Sequence, residues 1–433
     1  MTNLEHLDDN QLFAWDSKPL KAVSSYTVSN VDKITGNDEI PVRLCNYTDV
    51  YNNEFIRLSI NFMEASATAE EIRKFGLMEG DVIITKDSES WDDIGIPALV
   101  QETADDLVCG YHLAILRPFP DLVRGRYLFR CLQSKPIRIQ LELSATGVTR
   151  FGLSIDAIGR LLLPIPPIDQ QDAIADFLDR EAEQIDALIA AKERLLEILA
   201  EKRLALISHA VTRGLNPDIP FRDSGIPWLG KIPAHWAIPP VYARFDVQLG
   251  KMLDEKKIKG THLAPYLRNV DVQWGSVNTR DLPVMDFDEQ DRINYSLNKD
   301  DLLVCEGGEI GRCALWQGDI KDCYYQKALH RLRPIHKKDE PRFFLFVMKT
   351  LVDAGIFSSE ALASTIQHLP AEKLRILRYP SPPIDEQRAI VNHIVFETTK
   401  LDALKAAVER TITLLKERRA ALIAAAVTGQ IAV

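Results

Sequence analysis

Asp246 followed by Glu255-Lys256-Lys257 has the Asp…Glu-x-Lys order in which metal-dependent nucleases use acids to hold Mg²⁺ and a lysine to activate water. The spacing arises easily by chance and has no counterpart in the first half of the chain, so a solvated or DNA-facing loop is the expectation here. The same stretch carries a denser signal. Lys251, Lys256, Lys257 and Lys259 stand between Gly250 and Gly260, and Arg268, Arg312, Lys327 and Arg331 follow, interleaved with Trp274, Tyr324 and Tyr325. Lysine and arginine position phosphates, and arginine can read guanine edges through two hydrogen bonds. Arg43, Lys86, Arg117 and Arg150 extend the candidate DNA-binding set into the first half. His112, His330 and His368 have no partners at metal-ligand spacing and are expected to be hydrogen-bonded surface or core residues. No phosphate loop, Gly-x-Ser-x-Gly elbow or His-Glu-x-x-His is present. Neither catalytic nor metal-ligating residues are therefore expected.

Charge separates the two halves. The whole chain carries −10, which excludes a protein that simply coats nucleic acid. Residues 1–163 hold 16 Lys and Arg against 24 Asp and Glu, whereas residues 218–379 hold 23 against 22, making the latter the better candidate for a DNA-facing module. The six cysteines form no Cys-x-x-Cys pair, no apolar run reaches the ~18 residues of a membrane span, and the first ten residues are acidic and polar. A reduced, cytoplasmic chain without a membrane segment is expected.

The elements that must position these residues come from a duplication. Pro164-Ile-Pro-Pro-Ile-Asp-Gln-Gln-Asp-Ala-Ile174 returns 216 positions later as Pro380-Ser-Pro-Pro-Ile-Asp-Glu-Gln-Arg-Ala-Ile390, and 25 of 50 positions match without a gap. Each matched segment predicts one long helix. It starts after Pro-Pro, has no internal Pro or Gly, and ends at Gly214 or Gly429. Steps of four and three give an apolar seam of Ile174, Leu178, Ile185, Leu188, Leu195, Leu199 and Leu206 in one copy. In the other they give Ile390, Ile394, Leu401, Leu404, Val408, Leu415 and Leu422. The expectation is an antiparallel coiled coil; an amphipathic helix packed on its own domain is the plainer alternative for either copy alone. The unmatched segments 1–163 and 218–379 carry short β-like runs, such as Asp81-Val-Ile-Ile-Thr85 and Asp301-Leu-Leu-Val-Cys305, with helical stretches between them.

Phe221–Trp236, Gly250-Lys-Met-Leu-Asp254 with Pro265–Gly275, and the doubled Pro-x-Pro-Pro-Ile-Asp-x-Gln-x-Ala-Ile resemble the entry motif, first strands and spacer helices of the specificity subunit of type I restriction–modification systems. The resemblance spans nearly the whole chain and is weakest before residue 90. It implies an α/β (α+β) fold with a pseudo-twofold internal repeat: two target recognition domains (1–163 and 218–379) and two conserved spacer helices (164–217 and 380–433). It implies double-stranded DNA as ligand, each domain reading half of an asymmetric bipartite site, with the helices setting the gap and docking modification subunits. Two modification and two restriction subunits would be partners. S-adenosylmethionine would be used by the former and ATP with Mg by the latter, and no cofactor by this chain. The competing readings are a coiled-coil scaffold that reads no sequence and a self-sufficient nuclease.

Overall fold

A computed structural model describes residues 14–33, 35–36, 39–252, 260–357 and 368–433. The chain forms two compact units. One takes the chain up to Glu193 together with Glu409–Val433, and the other takes Arg194–Val408, so each unit draws on parts of both long helices.

In the first unit the strands are β1 (Ser24–Val28), β2 (Ile40–Cys45), β3 (Met63–Ala67), β4 (Val82–Thr85), β5 (Pro97–Val100), β6 (Leu107–Cys109) and β7 (Leu113–Pro118). One sheet has the order β1-β7-β4-β5, extended by Phe55–Ile56, and a second has β3-β2-β6. The second unit repeats the plan with β8 (Phe245–Leu249), β9 (Leu263–Leu267), β10 (Val284–Asp286), β11 (Leu302–Cys305), β12 (Cys313–Leu315), β13 (Tyr324–Tyr325) and β14 (Leu329–Pro334). Its sheets run β8-β14-β11-β12 and β10-β9-β13. Most pairings are antiparallel, but β2 with β6, β5 with Phe55–Ile56, and β9 with β13 are parallel. The continuous apolar runs of β4 and β11 are buried at every position, as expected for central strands covered on both faces. An ion pair recurs beside them: Arg117 Nε and Nη2 reach Asp81 at 2.8 and 2.7 Å, and Arg333 reaches Asp301 at 2.7 Å through both nitrogens.

The two long helices are Ile168–Arg213 and Ile384–Val427, 46 and 44 residues. Gly214 and Gly429 follow them at φ +76° and +75°, the left-handed conformation that closes a helix at little cost for glycine. A buried glutamine fixes each helix start. Gln171 Oε1 accepts from the Arg124 N–H (2.9 Å), while its Nε2 donates to the carbonyls of Leu122 (3.1 Å) and Pro166 (2.9 Å). Gln387 does the same with Glu340 N–H, Lys338 and Pro382 at 2.9, 3.2 and 2.8 Å. Each glutamine thereby joins the long helix to the first turn of a shorter one, Gly125–Gln133 or Pro341–Asp353.

The long helices run antiparallel to one another. Within the first unit Arg419 Nε lies 3.1 Å from Asp186 Oδ1, and within the second Arg203 Nη1 lies 2.5 Å from Asp402 Oδ1. Both members of one pair return 216 positions later in the other. Ile174, Leu178, Ile185, Leu199, Ile390 and Ile394 are buried, and Leu195, Leu206, Leu401, Leu415 and Leu422 are half-buried. Leu188 and Leu404 depart from the expected seam: they are 51% and 46% exposed. The buried path steps by four from Leu178 to Ala182, and from Ile394 to Thr398, before its first step of three. Alternate seam positions consequently fall one residue later than strict stepping predicts, leaving these two leucines outside.

Candidate nucleic-acid interface

Most of the expected DNA-binding cations are consumed inside their own unit. Arg331 is 4% exposed and donates to Asp246 Oδ2 (2.7 Å) and to the Asn294 and Ser296 carbonyls (3.2 and 3.3 Å), so it cannot reach a groove. Arg117 is held by Asp81 and the Gly76 carbonyl. Lys251 pairs with Asp291, donates to the Asp286 carbonyl (2.6 Å) and lies over the Phe287 ring. Arg268 pairs with Asp271, Arg43 with Asp106, and Lys86 with Asp87. Arg312 donates to the Asn269 carbonyl (3.1 Å) and sits 3.4 Å from Glu309. A cation already satisfied by a carboxylate must break that pair before binding phosphate.

Tyr324 and Tyr325, expected as interleaved aromatics, are buried at 3% and 0% on β13, where their apolar rings serve the core. His330 is fully buried and its Nε2 is 2.8 Å from the Leu369 carbonyl. Lys256, Lys257 and Lys259, and with them most of the nuclease-like pattern, lie outside the described residues. All six cysteines are buried and unpaired, and burial pushes the Cys131 thiol up to about 12, far from a reactive thiolate.

Among the candidates that are described, Arg150 and Lys327 are exposed and have no carboxylate partner among the described residues. They lead to corresponding places. Lys327 lies in the turn joining β13 to β14, Gln326–Ala328. The corresponding turn from β6 to β7 is Gly110–His112, and His112 contacts Arg150. Backbone hydrogen bonds repeat as well: Gly110 N–H donates to the Cys45 carbonyl (2.8 Å), and Gln326 N–H to the Leu267 carbonyl (3.1 Å). Both turns end on a non-glycine residue with positive φ, His112 at +68° and Ala328 at +103°. Two such residues at one repeat position mark a strained backbone that both copies retain, and strain of this kind concentrates at functional sites. In the first unit the turn borders a cleft of about 640 Å³ lined by Ser29, Asn30, Asp32, Lys33, Lys86, Asp87, Tyr111 and His112. In the second, Gly250 permits close approach, since a Cβ there would lie 2.2 Å from the Gln326 carbonyl oxygen.

Residues 245–414 match the model of the type I restriction modification DNA specificity domain, spanning the second unit's sheets and much of the second long helix. The chain is 21% identical over 389 residues to the putative type I restriction enzyme MjaX specificity subunit of Methanocaldococcus jannaschii, covering 88% of this chain and 86% of that one. It is 21% identical over 405 residues to the EcoKI specificity subunit of Escherichia coli K12, covering 91% and 83%. A chain from a structure on complex assembly and conformational transition of the type I R-M system has the same fold, with TM-score 0.72, 17% identity, and 96% of this chain and 98% of that one covered.

Residues 245–414 thus carry the type I restriction–modification DNA specificity domain, and over most of its length the chain is similar to type I specificity subunits. As a specificity subunit it serves DNA sequence recognition and is not the catalytic member of its system. No helix among the described residues is long and apolar enough to cross a membrane. Sequence reading did not bring His112 and Asp87 together because neither repeats: Ala328 and a glycine-rich loop replace them in the second unit. It also missed Gln171 and Gln387, although their identity at the 216-residue offset was the available signal.

Proposed function

We propose that each unit reads one half of an asymmetric, bipartite DNA site around its β6–β7 or β13–β14 turn, while the long helices dock two modification subunits and set the gap. One observation carries this reading: the two turns share a backbone and differ in side chains, Gly110-Tyr-His112 against Gln326-Lys-Ala328, whereas the helices share exposed side chains as well as backbone. Ala187, Leu188, Ala190, Ala191, Glu193 and Arg194 recur as Ala403, Leu404, Ala406, Ala407, Glu409 and Arg410, and all twelve are exposed. Core packing does not constrain an exposed residue, so identity there is explained by one partner surface met twice. The methyl donor S-adenosylmethionine would then belong to the modification subunits, and ATP with Mg to restriction subunits, two of which complete the complex.

The docking half is tested by native mass spectrometry of the chain co-expressed with its modification subunit. Leu188→Asp and Leu404→Asp should each retain one modification subunit, and the double variant none, with helical circular dichroism unchanged. Full occupancy in the double variant would refute the docking surface. The reading half is tested by the motif measurement that closes the Discussion.

A further inference from the structure

The cleft beside the first unit's turn contains a hydrogen-bonded chain with no counterpart among the described residues of the second unit. Lys86 Nζ donates to Asp87 Oδ1 at 2.7 Å. The other carboxylate oxygen, Oδ2, lies 2.5 Å from His112 Nδ1, and His112 Nε2 lies 3.1 Å from Arg150 Nη2. A carboxylate can only accept, so Nδ1 carries the proton donated to Asp87. Nε2 is then left with its lone pair toward the arginine. The imidazole thus holds one N–H of Arg150 and leaves the rest of the guanidinium fork free. Arg150 immediately precedes the short strand Phe151–Gly152, which pairs with Asp87–Ser88, so the backbone also brings the two ends of the chain together. Val148, two residues before it at the hairpin tip, is 91% exposed. Beyond Arg150 lies a second cleft of about 270 Å³ with the stacked rings of Tyr47 and Tyr51 on its wall.

The repeat provides an internal control for what the histidine is for. Ala328 takes the His112 position at φ +103°, so the fold forms this turn with no side chain beyond Cβ. The imidazole is therefore not required for the turn. A residue dispensable to the scaffold, strained in its backbone and aimed at an exposed arginine is placed for a ligand.

We infer that Asp87 and His112 are positioning residues that hold Arg150 as the reader of a guanine in the first unit's half-site. This inference rests on the reading proposed above. A free, oriented guanidinium edge can donate two parallel hydrogen bonds to guanine O6 and N7, a contact that lysine cannot reproduce.

The test uses the chain assembled with its modification subunits, in competition binding at fixed salt between its wild-type site and every single-base change of both half-sites. Wild-type protein that prefers no sequence would defeat the underlying reading, not this inference. Given a wild-type preference, Arg150→Ala, Arg150→Lys and His112→Gly should each relax one and the same G·C position by about tenfold to a hundredfold. Asp87→Asn should relax it less, and the other half-site should stay unchanged. The melting temperature of His112→Gly should hold or rise, since glycine relieves the positive φ. The inference is overturned if His112→Gly keeps wild-type base preference, relaxes a different position from Arg150→Ala, or weakens all sequences equally. A fall in melting temperature with intact preference would reduce His112 to a structural residue.

Discussion

The Gly110–His112 and Gln326–Ala328 turns have the same hydrogen bonds and the same left-handed final residue, yet present tyrosine and histidine in one unit and lysine and alanine in the other. A second pair of places differs below the surface. In the first unit Arg130, 2% exposed, donates to Asp179 (3.1 and 2.6 Å), which also accepts from Arg126. The corresponding positions in the second unit are Phe346, packed against the apolar core, and Val395. Duplication thus preserved the backbone while the ionic pair that ties the short helix to the long one in the first unit gave way to apolar residues at both positions in the second. What faces outward at the turns is free to differ because nothing inside depends on it.

The contrast between ionic and apolar ties yields the largest expected effect. Arg130→Ala should destabilise the first unit by about 2–4 kcal/mol, because it empties a fully buried side-chain volume and removes one of the two arginines that hold Asp179. Arg130→Phe with Asp179→Val, the residues the second unit carries, should instead be neutral or stabilise by about 1–4 kcal/mol. Urea unfolding of both variants distinguishes the two outcomes. pH sharpens the same contrast. Burial raises the Asp179 pKa, but bonds from Arg126 and Arg130 outweigh it and hold the carboxyl below its usual range. A depressed carboxylate contributes stability that is complete above its unfolded pKa of about 3.9 and is lost as pH falls through the folded value. The Phe/Val variant should therefore keep its first unit folded to lower pH than wild type, as read by amide hydrogen exchange in an acid series.

A smaller effect is expected where the two units agree. Gln171→Ala and Gln387→Ala each strand a buried N–H and two carbonyls, and each should cost about 1–3 kcal/mol. Similar losses in thermal melts of the two variants would support equivalent joints; a loss confined to one would show that the repeat is not symmetric there. Smallest in energy is the lysine pair. Lys256→Ala with Lys257→Ala should weaken binding to all DNA sequences alike and flatten the salt dependence by about one unit per lost contact, the behaviour of phosphate-binding lysines. A changed base preference with an unchanged salt slope would assign those lysines to base reading instead.

The helices and their antiparallel pairing were legible because repetition and period are properties of the chain itself. The 216-residue offset already aligned Asp186 with Asp402 and Arg203 with Arg419, the residues that bridge the helices. The seam was read one residue early at Leu188 and Leu404 because strict alternation of four and three ignores where the path takes two successive steps of four. The interface was less legible. Composition identifies cations but not which are neutralised, and Arg331 and Arg117 resemble DNA-binding residues until Asp246 and Asp81 are seen beside them. His112 was legible as a hydrogen-bonded residue but not by its partners, since a turn conformation and strand pairing bring Asp87 and Arg150 to it from distant parts of the sequence.

The central claim is that one scaffold, duplicated, reads two different half-sites for one kind of partner. Single-molecule sequencing of DNA methylated in cells that express this chain with its modification subunit tests it most directly. The account predicts a single motif of two unlike half-sites separated by an unspecified gap, with methylation lost when the chain is deleted. A palindromic motif dependent on this chain would contradict it, because identical half-sites require identical reading surfaces, and Gly110-Tyr-His112 and Gln326-Lys-Ala328 are not identical.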